Sequence, residues 1–379
     1  MNDAQYTSSR NSFHLLRFVL AAMVIFCHSH TLLGRATPLS LLSGTLLNEG
    51  AITVDGFLVI SGFLICQSAV RSRNALTFLS KRLLRILPGF CCALMFSVIL
   101  GALAYDGSVV EYVRLRHNGP LSWMLNWLTL NVQPEQAGVT GVFVTNPVTS
   151  LNMSLWTIRF QLVFYALMAL LMLTTLNRRR PTYIVLYASF LLLRLLYDAF
   201  GLQAWDIPDT RWWLLSRWNY DRLTETGLFF FSGTLLYAYR QEIPRRWYLA
   251  VIASLLLAGS CVFRNLPGQI SAAAGTGTEL LWQLAMIPLR AVYCLALPYL
   301  IVYLGASPMA SRFAKTGDLS YGMYLFSYPV QQMVIFCAPG VTPMALFGTT
   351  MLIILPLAAF SWRCVEAPAL RLKNRNRSA

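Results

Sequence analysis

Residues Phe13–Leu33 read FHLLRFVLAAMVIFCHSHTLL, and the reading of this stretch decides the fold. It is as long as a helix that crosses a bilayer, for which about 20 predominantly apolar residues suffice. Yet it carries Arg17 near its start and His28 near its end. At about 1.5 Å of rise per residue, the pair sits ~16 Å apart along a helix axis, near opposite ends of a span. Ionisable groups inside a bilayer are costly and by default mark a functional path.

Composition extends the reading to the whole chain. Apolar residues make up 56% of 379 and charged residues 12%, against about 25% charged in a soluble domain. The mean hydropathy is +0.56. These values predict an all-α integral membrane protein. The net charge of +15 is not massed on one stripe, as nucleic-acid binding would require, but falls in short clusters between apolar runs. The bilayer, not nucleic acid, is the expected partner. The run at Phe13 is too long for a signal peptide and lacks a small-residue cleavage site, so it is read as retained.

About ten spans follow: 13–33, 51–70, 87–105, 154–176, 182–202, 224–240, 247–263, 281–304, 319–338 and 342–363. They form a single membrane-embedded domain over 1–379. Lys and Arg number eighteen on the side that holds both termini and seven on the other, which places both termini in the cytoplasm. Seven of the eight cysteines lie in apolar runs without CxxC or His/Cys metal spacing, and read as small packing residues. Neither a metal nor a bound cofactor is expected.

This topology orients the opening pair. Arg17 lies toward the cytoplasm and His28 toward the outer face, and Asp55, Arg159 and Gln161 fall in the same outer layer as His28. A lone histidine in a bundle also serves as an ordinary interhelical donor, so the layer by itself leaves both roles open. At the cytoplasmic edge, FLSKRLLRILP (Phe78–Pro88) puts Arg82 and Arg85 on one helix face beside Lys81. Guanidinium forks suit phosphate oxygens, though positive-inside charge or anionic lipid explains them too. Pro88 is read as the start of span three.

The connections and the remaining polar residues have plainer readings. The outer connection 106–153 carries an aromatic piece, Leu121–Leu130, read as interfacial or re-entrant. The connection 203–223, with Trp205, Trp212, Trp213 and Trp218, reads as a headgroup belt or a sugar-stacking surface. His30 is expected to be exposed at the outer mouth. Tyr321 and Tyr324 share a face and, with Tyr328, Gln331 and Gln332, either line an acceptor groove or pack. Ser61–Gly62 permits close helix approach.

Read together, the motifs resemble the acyltransferase family 3 of integral membrane acyltransferases. Arg17 and His28 with ten residues between them are followed by VDGFLVISGFLI (Val54–Ile65) and FLSKRLLRILP. NMSLWTIRFQLVFY (Asn152–Tyr165), GDLSYGMYLFSYPVQQ (Gly317–Gln332) and SWRCVEAPALRLK (Ser361–Lys373) complete the set, in family order and nearly end to end. The resemblance implies a ten-helix core that moves an acyl group, most often acetyl, from cytoplasmic acyl-CoA to a glycan hydroxyl across the inner membrane. Surface and lipid-linked glycans both qualify as acceptor. It implies that His28 is catalytic, that Arg17 helps hold the donor, and that Arg82 and Arg85, with Lys81, bind the CoA phosphates. Trp156, Arg159, Gln161, Tyr321 and Tyr324 are then substrate-binding or supporting residues. Glu366 with Pro368 reads as a structural lock pairing with Arg363 or a nearby cytoplasmic arginine.

Within that frame His28 takes the acceptor's proton, with Asp55 orienting the ring as in a triad, or is itself acylated. One departure stands out. The family's usual Glu after the WT motif is Gln161 here, which keeps an amide but cannot carry a proton. A competing reading is a glycan exporter with His28 and Asp55 as proton relay, against which there is no inverted-repeat signal. A non-catalytic membrane binding protein is the third reading.

Overall fold

The computed structural model describes residues 11–42, 49–130, 138–200, 219–263, 279–308 and 317–375. A helix covers each of the ten apolar runs: α1 (Phe13–Thr31), α2 (Glu49–Arg71), α3 (Ala75–Leu103), α4 (Trp156–Leu173), α5 (Arg180–Phe200), α6 (Tyr220–Ala238), α7 (Trp247–Phe263), α8 (Glu279–Gly305), α9 (Leu319–Cys337) and α10 (Pro343–Ser361). Five stretches, built on α1, α2, α3, α4 and α10, are long and apolar enough to cross a membrane. Among the described residues there is no strand, only isolated bridges between Tyr105 and Val142 and between Gly138 and Ser150. The regular structure of the described residues is therefore all helical, with membrane-type helices. The Trp-rich connection lies outside the described residues as far as Trp218, as do the inside-type charges Arg10, Arg312, Lys315 and Arg377.

Helix ends follow local chemistry. Asn219 caps α6 by accepting from the Arg222 amide, and Thr342 caps α10 with Pro343 at its first position. Pro88 does not begin α3. The helix starts at Ala75, so the basic stretch from Lys81 to Arg85 belongs to its first turns and Pro88 sits inside it. Proline removes one backbone bond there, and the helix tolerates the loss. Of the cysteines, Cys27, Cys66 and Cys294 are buried as packing residues, but Cys91 and Cys337 are exposed.

The residues divide into two compact units. The first comprises Met1–Leu16, Pro38–Phe78 and Val163–Lys315. Its centre is the contact of α2 with α6, where a Cβ on Gly62 would overlap the Phe230 carbonyl and one on Gly233 would overlap that of Val59. Small residues are what close helix packing needs when lipid supplies no hydrophobic drive. Phenylalanines fill in around the contact, with Phe164 stacked on Phe230 at 4.8 Å and Phe190 on Phe231 at 5.0 Å.

The second unit comprises Arg17–Thr37, Leu79–Leu162 and Thr316–Ala379. Helix α9 ties it together. Gln331 donates to the Ile25 carbonyl (2.9 Å) and Ser29 Oγ (2.7 Å) of α1, and Tyr321 donates to the Ile86 carbonyl of α3 (2.8 Å). Gln332 donates to the carbonyls of Val148 and Ser150, and Gly322 lets α9 lie against Ala358 of α10. In the connection before α4, Leu121–Leu130 is largely a helix, Pro120–Leu128. It turns Trp123 and Trp127 inward and leaves Leu121, Leu125 and Leu128 exposed.

Candidate active site

His28 lies on α1 in the second unit, beside a cleft of about 750 Å³. The cleft is within the 300–1,000 Å³ range of small-molecule sites. His28 lines the cleft, and its Nδ1 is buried with no hydrogen bond among the described residues. Across from it stands Tyr328 of α9, its ring edge-on to the imidazole with centroids 5.2 Å apart and planes at 82°. Ser150 and Trp156 also line the cleft.

Trp156 reaches the cleft because the turn before it is pinned. Asn152 is fully buried; its Oδ1 accepts from the Ser154 amide and its Nδ2 donates to the Leu325 carbonyl (3.0 Å) and Ser97 Oγ (3.2 Å). The NMSLWT motif is thus a clamp between α3 and α9. Next along α4, Thr157 shares a hydrogen bond with Tyr324 (2.8 Å), and Arg159 lays its guanidinium over Phe160 at 4.7 Å. Gln161 is half-buried.

Lower in the same unit, Arg17 pairs with Asp318 at 3.0 Å. The same Asp318 oxygen meets Arg85, whose other terminal nitrogen holds Glu366 at 3.0 Å. Ser320 donates to Asp318 and Ser361 to Glu366, and the Arg85 guanidinium lies against both Tyr321 (5.5 Å) and Trp362 (5.3 Å). Burying ions costs several kcal/mol each and is offset only when geometry and extra hydrogen bonds are good. Here two cations meet two carboxylates, and every charge is shared. The chain shape supports it: Gly317 has φ +87°, and a Cβ there would overlap Trp362, while a π-helical turn at Trp362–Glu366 carries Glu366 toward Arg85. The lock expected at Glu366 therefore closes on Arg85, one of the nearby cytoplasmic-type arginines. Lys81 and Arg82 are half-buried one turn earlier on α3.

The other expected residues are distributed as follows. Asp55 belongs to the first unit, where its buried carboxylate accepts from Tyr293 (2.8 Å). In that unit Arg290 approaches Glu225 (3.7 Å) and Arg194 pairs with Asp221. Tyr321 and Tyr324 are taken up by α3 and α4, so of the α9 residues it is Tyr328 that lines the cleft. His30 is not exposed. It is buried against Phe26, whose ring lies 4.7 Å away and whose carbonyl bonds its Nδ1 (3.0 Å), because a ring two residues from His28 points away from the cleft. Sequence reasoning missed Asp318, Ser150 and the clamping role of Asn152, although each lies in or beside a motif. No group of three or more metal-ligating side chains occurs among the described residues.

Comparison with known proteins places the whole sequence in a family. The profile of a family described as an acyltransferase domain matches residues 10–363. A protein of Shigella phage Sf6 named O-acetyl transferase is 26% identical over 365 residues, covering 94% of this chain and 95% of its own length. Nodulation protein 10 of Rhizobium leguminosarum bv. viciae is 24% identical over 382 residues, covering 96% and 94%. No solved structure matches.

Proposed function

The chain belongs to this acyltransferase family, and we propose that it moves an acyl group, acetyl in the first instance, from cytoplasmic acyl-CoA to a hydroxyl of a surface or lipid-linked glycan. On this reading the ten helices span the inner membrane with both termini in the cytoplasm. The observation that carries the proposal is His28 facing a ligand-sized cleft, with Arg17 on the same helix turned toward the motif-built charge cluster.

Chemically, a neutral imidazole at Nε2 removes the proton of the attacking hydroxyl as its oxygen reaches the acyl carbon. An acyl-histidine route uses the same nitrogen. Mass spectrometry of the protein quenched after acetyl-CoA alone separates the two. The donor's phosphates are met by Arg82 and Lys81, with Arg17 along the path of the pantetheine arm. Arg85 serves the donor site by shaping it, because Asp318 and Glu366 already engage its guanidinium. Trp156 and Arg159 face or flank the acceptor side, and Gln161 supports them as a neutral amide. Asp55 acts with Tyr293 in the first unit as a polar anchor of the bundle.

The test is purified full-length protein with acetyl-CoA and membranes lacking this chain as acceptor. Release of CoA thiol together with label entering glycan supports the proposal, and thiol release that His28→Ala leaves undiminished refutes it.

A further inference from the structure

Acyl transfer at His28 needs more than a base. As the acceptor oxygen bonds to the thioester carbon, the carbonyl electron pair moves onto its oxygen, and enzymes stabilise that charge with preplaced donors. The described residues that line the cleft offer neutral donors for this charge, the hydroxyls of Tyr328 and Ser150 among them.

Tyr328 fits the requirement in three respects. Its ring touches the His28 imidazole edge-on, so it stands beside the base. Its hydroxyl is hydrogen-bonded to that of Ser150, and both residues line the cleft. When Ser150 is the donor of that bond, the phenolic proton is left for the cleft. The side chain is also held in place from both sides. Gln331 fastens α9 to Ile25 and Ser29, the latter next to His28, and Gln332 fastens it to the backbone of Val148 and Ser150. A donor fixed in this way costs little reorganisation at the moment of reaction.

Resting on the acyl-transfer reading above, we propose that the Tyr328 hydroxyl, oriented by Ser150, donates to the acyl carbonyl oxygen during transfer. The acceptor C–O bond forms while Nε2 takes the acceptor's proton and Tyr328 bonds the new oxyanion. The oxyanion pair then re-forms the carbonyl, the C–S bond breaks, and the imidazolium returns the proton to the CoA sulfur. Tyr328 ends as it began.

The experiment compares wild type, His28→Ala, Tyr328→Phe and Ser150→Ala as purified full chains, with acetyl-CoA and membranes lacking this chain as acceptor probe. Tyr328→Phe keeps the ring edge against His28 and is expected to lower kcat about 100-fold or more while KM for acetyl-CoA stays within about threefold. Ser150→Ala is expected to lower kcat about tenfold, since the phenol remains but loses its orienting partner. A Tyr328→Phe kcat within about threefold of wild type overturns the proposal, as does a loss lying wholly in KM. If Tyr328→Phe unfolds, Ser150→Ala carries the test, and an unchanged kcat there overturns it. Wild type that transfers no acyl group overturns the acyl-transfer reading itself, which separates the two failures.

Discussion

At the scale of single residues, the account divides side chains of similar sequence appearance into different jobs. His28 lines the cleft and buries its Nδ1. Replacing it by Ala removes the proton acceptor, so kcat should fall by about 10²–10⁴-fold, with yield and Tm unchanged. Arg82 and Arg85 look equivalent in RLLRILP but should separate in experiment. Arg85→Ala strips a cation from buried Asp318 and Glu366, a change that costs about 3–5 kcal/mol when one partner of a buried pair is lost. A depressed Tm in detergent is the readout. Arg82→Ala should instead raise KM for acyl-CoA about 10-fold or more, the worth of a charge-assisted bond. The sequence made Arg17 and His28 visible because charges inside an apolar run stand out. Asp318 did not stand out: at the edge of a span an acidic residue looks like an ordinary helix start, and its partners Arg17 and Arg85 lie on distant helices.

Elements show the same contrast between local and distant information. All ten helices are legible from apolar periodicity and length, and the Gly62 contact from its small-residue neighbourhood. Gly62→Val should lower Tm sharply, since even modest overpacking costs about 1–3 kcal/mol and here the new atoms would meet the Phe230 backbone. Thermal unfolding by intrinsic fluorescence measures it. The start of α3 was not legible. Pro88 reads as a first-turn residue, yet the preceding residues continue the helical pattern and carry Arg85, which meets Asp318 at the start of α9 and Glu366 in the C-terminal turn. The clamp at Asn152 was likewise hidden, because its partners Ser97 and Leu325 come from two other helices. Asn152→Ala should release the turn that presents Trp156 and raise acceptor KM more than donor KM, read from initial rates at varied concentrations of each substrate.

For the whole molecule, composition made the membrane-type helical class legible, and the order of motifs made the family legible. What they could not give is which motifs meet. The second unit gathers the motifs around His28, Arg85, Asn152, Asp318 and Glu366, whereas Asp55, from VDGFLVISGFLI, hydrogen-bonds Tyr293 in the first. The central claim is that His28 delivers an acyl group to a glycan outside the membrane. Mass spectrometry of surface glycans from cells with wild-type chain, with His28→Ala, and with neither tests it most directly. The account predicts an acyl ester with wild type alone. The same ester at the same abundance with His28→Ala, produced and folded at wild-type level, would contradict it.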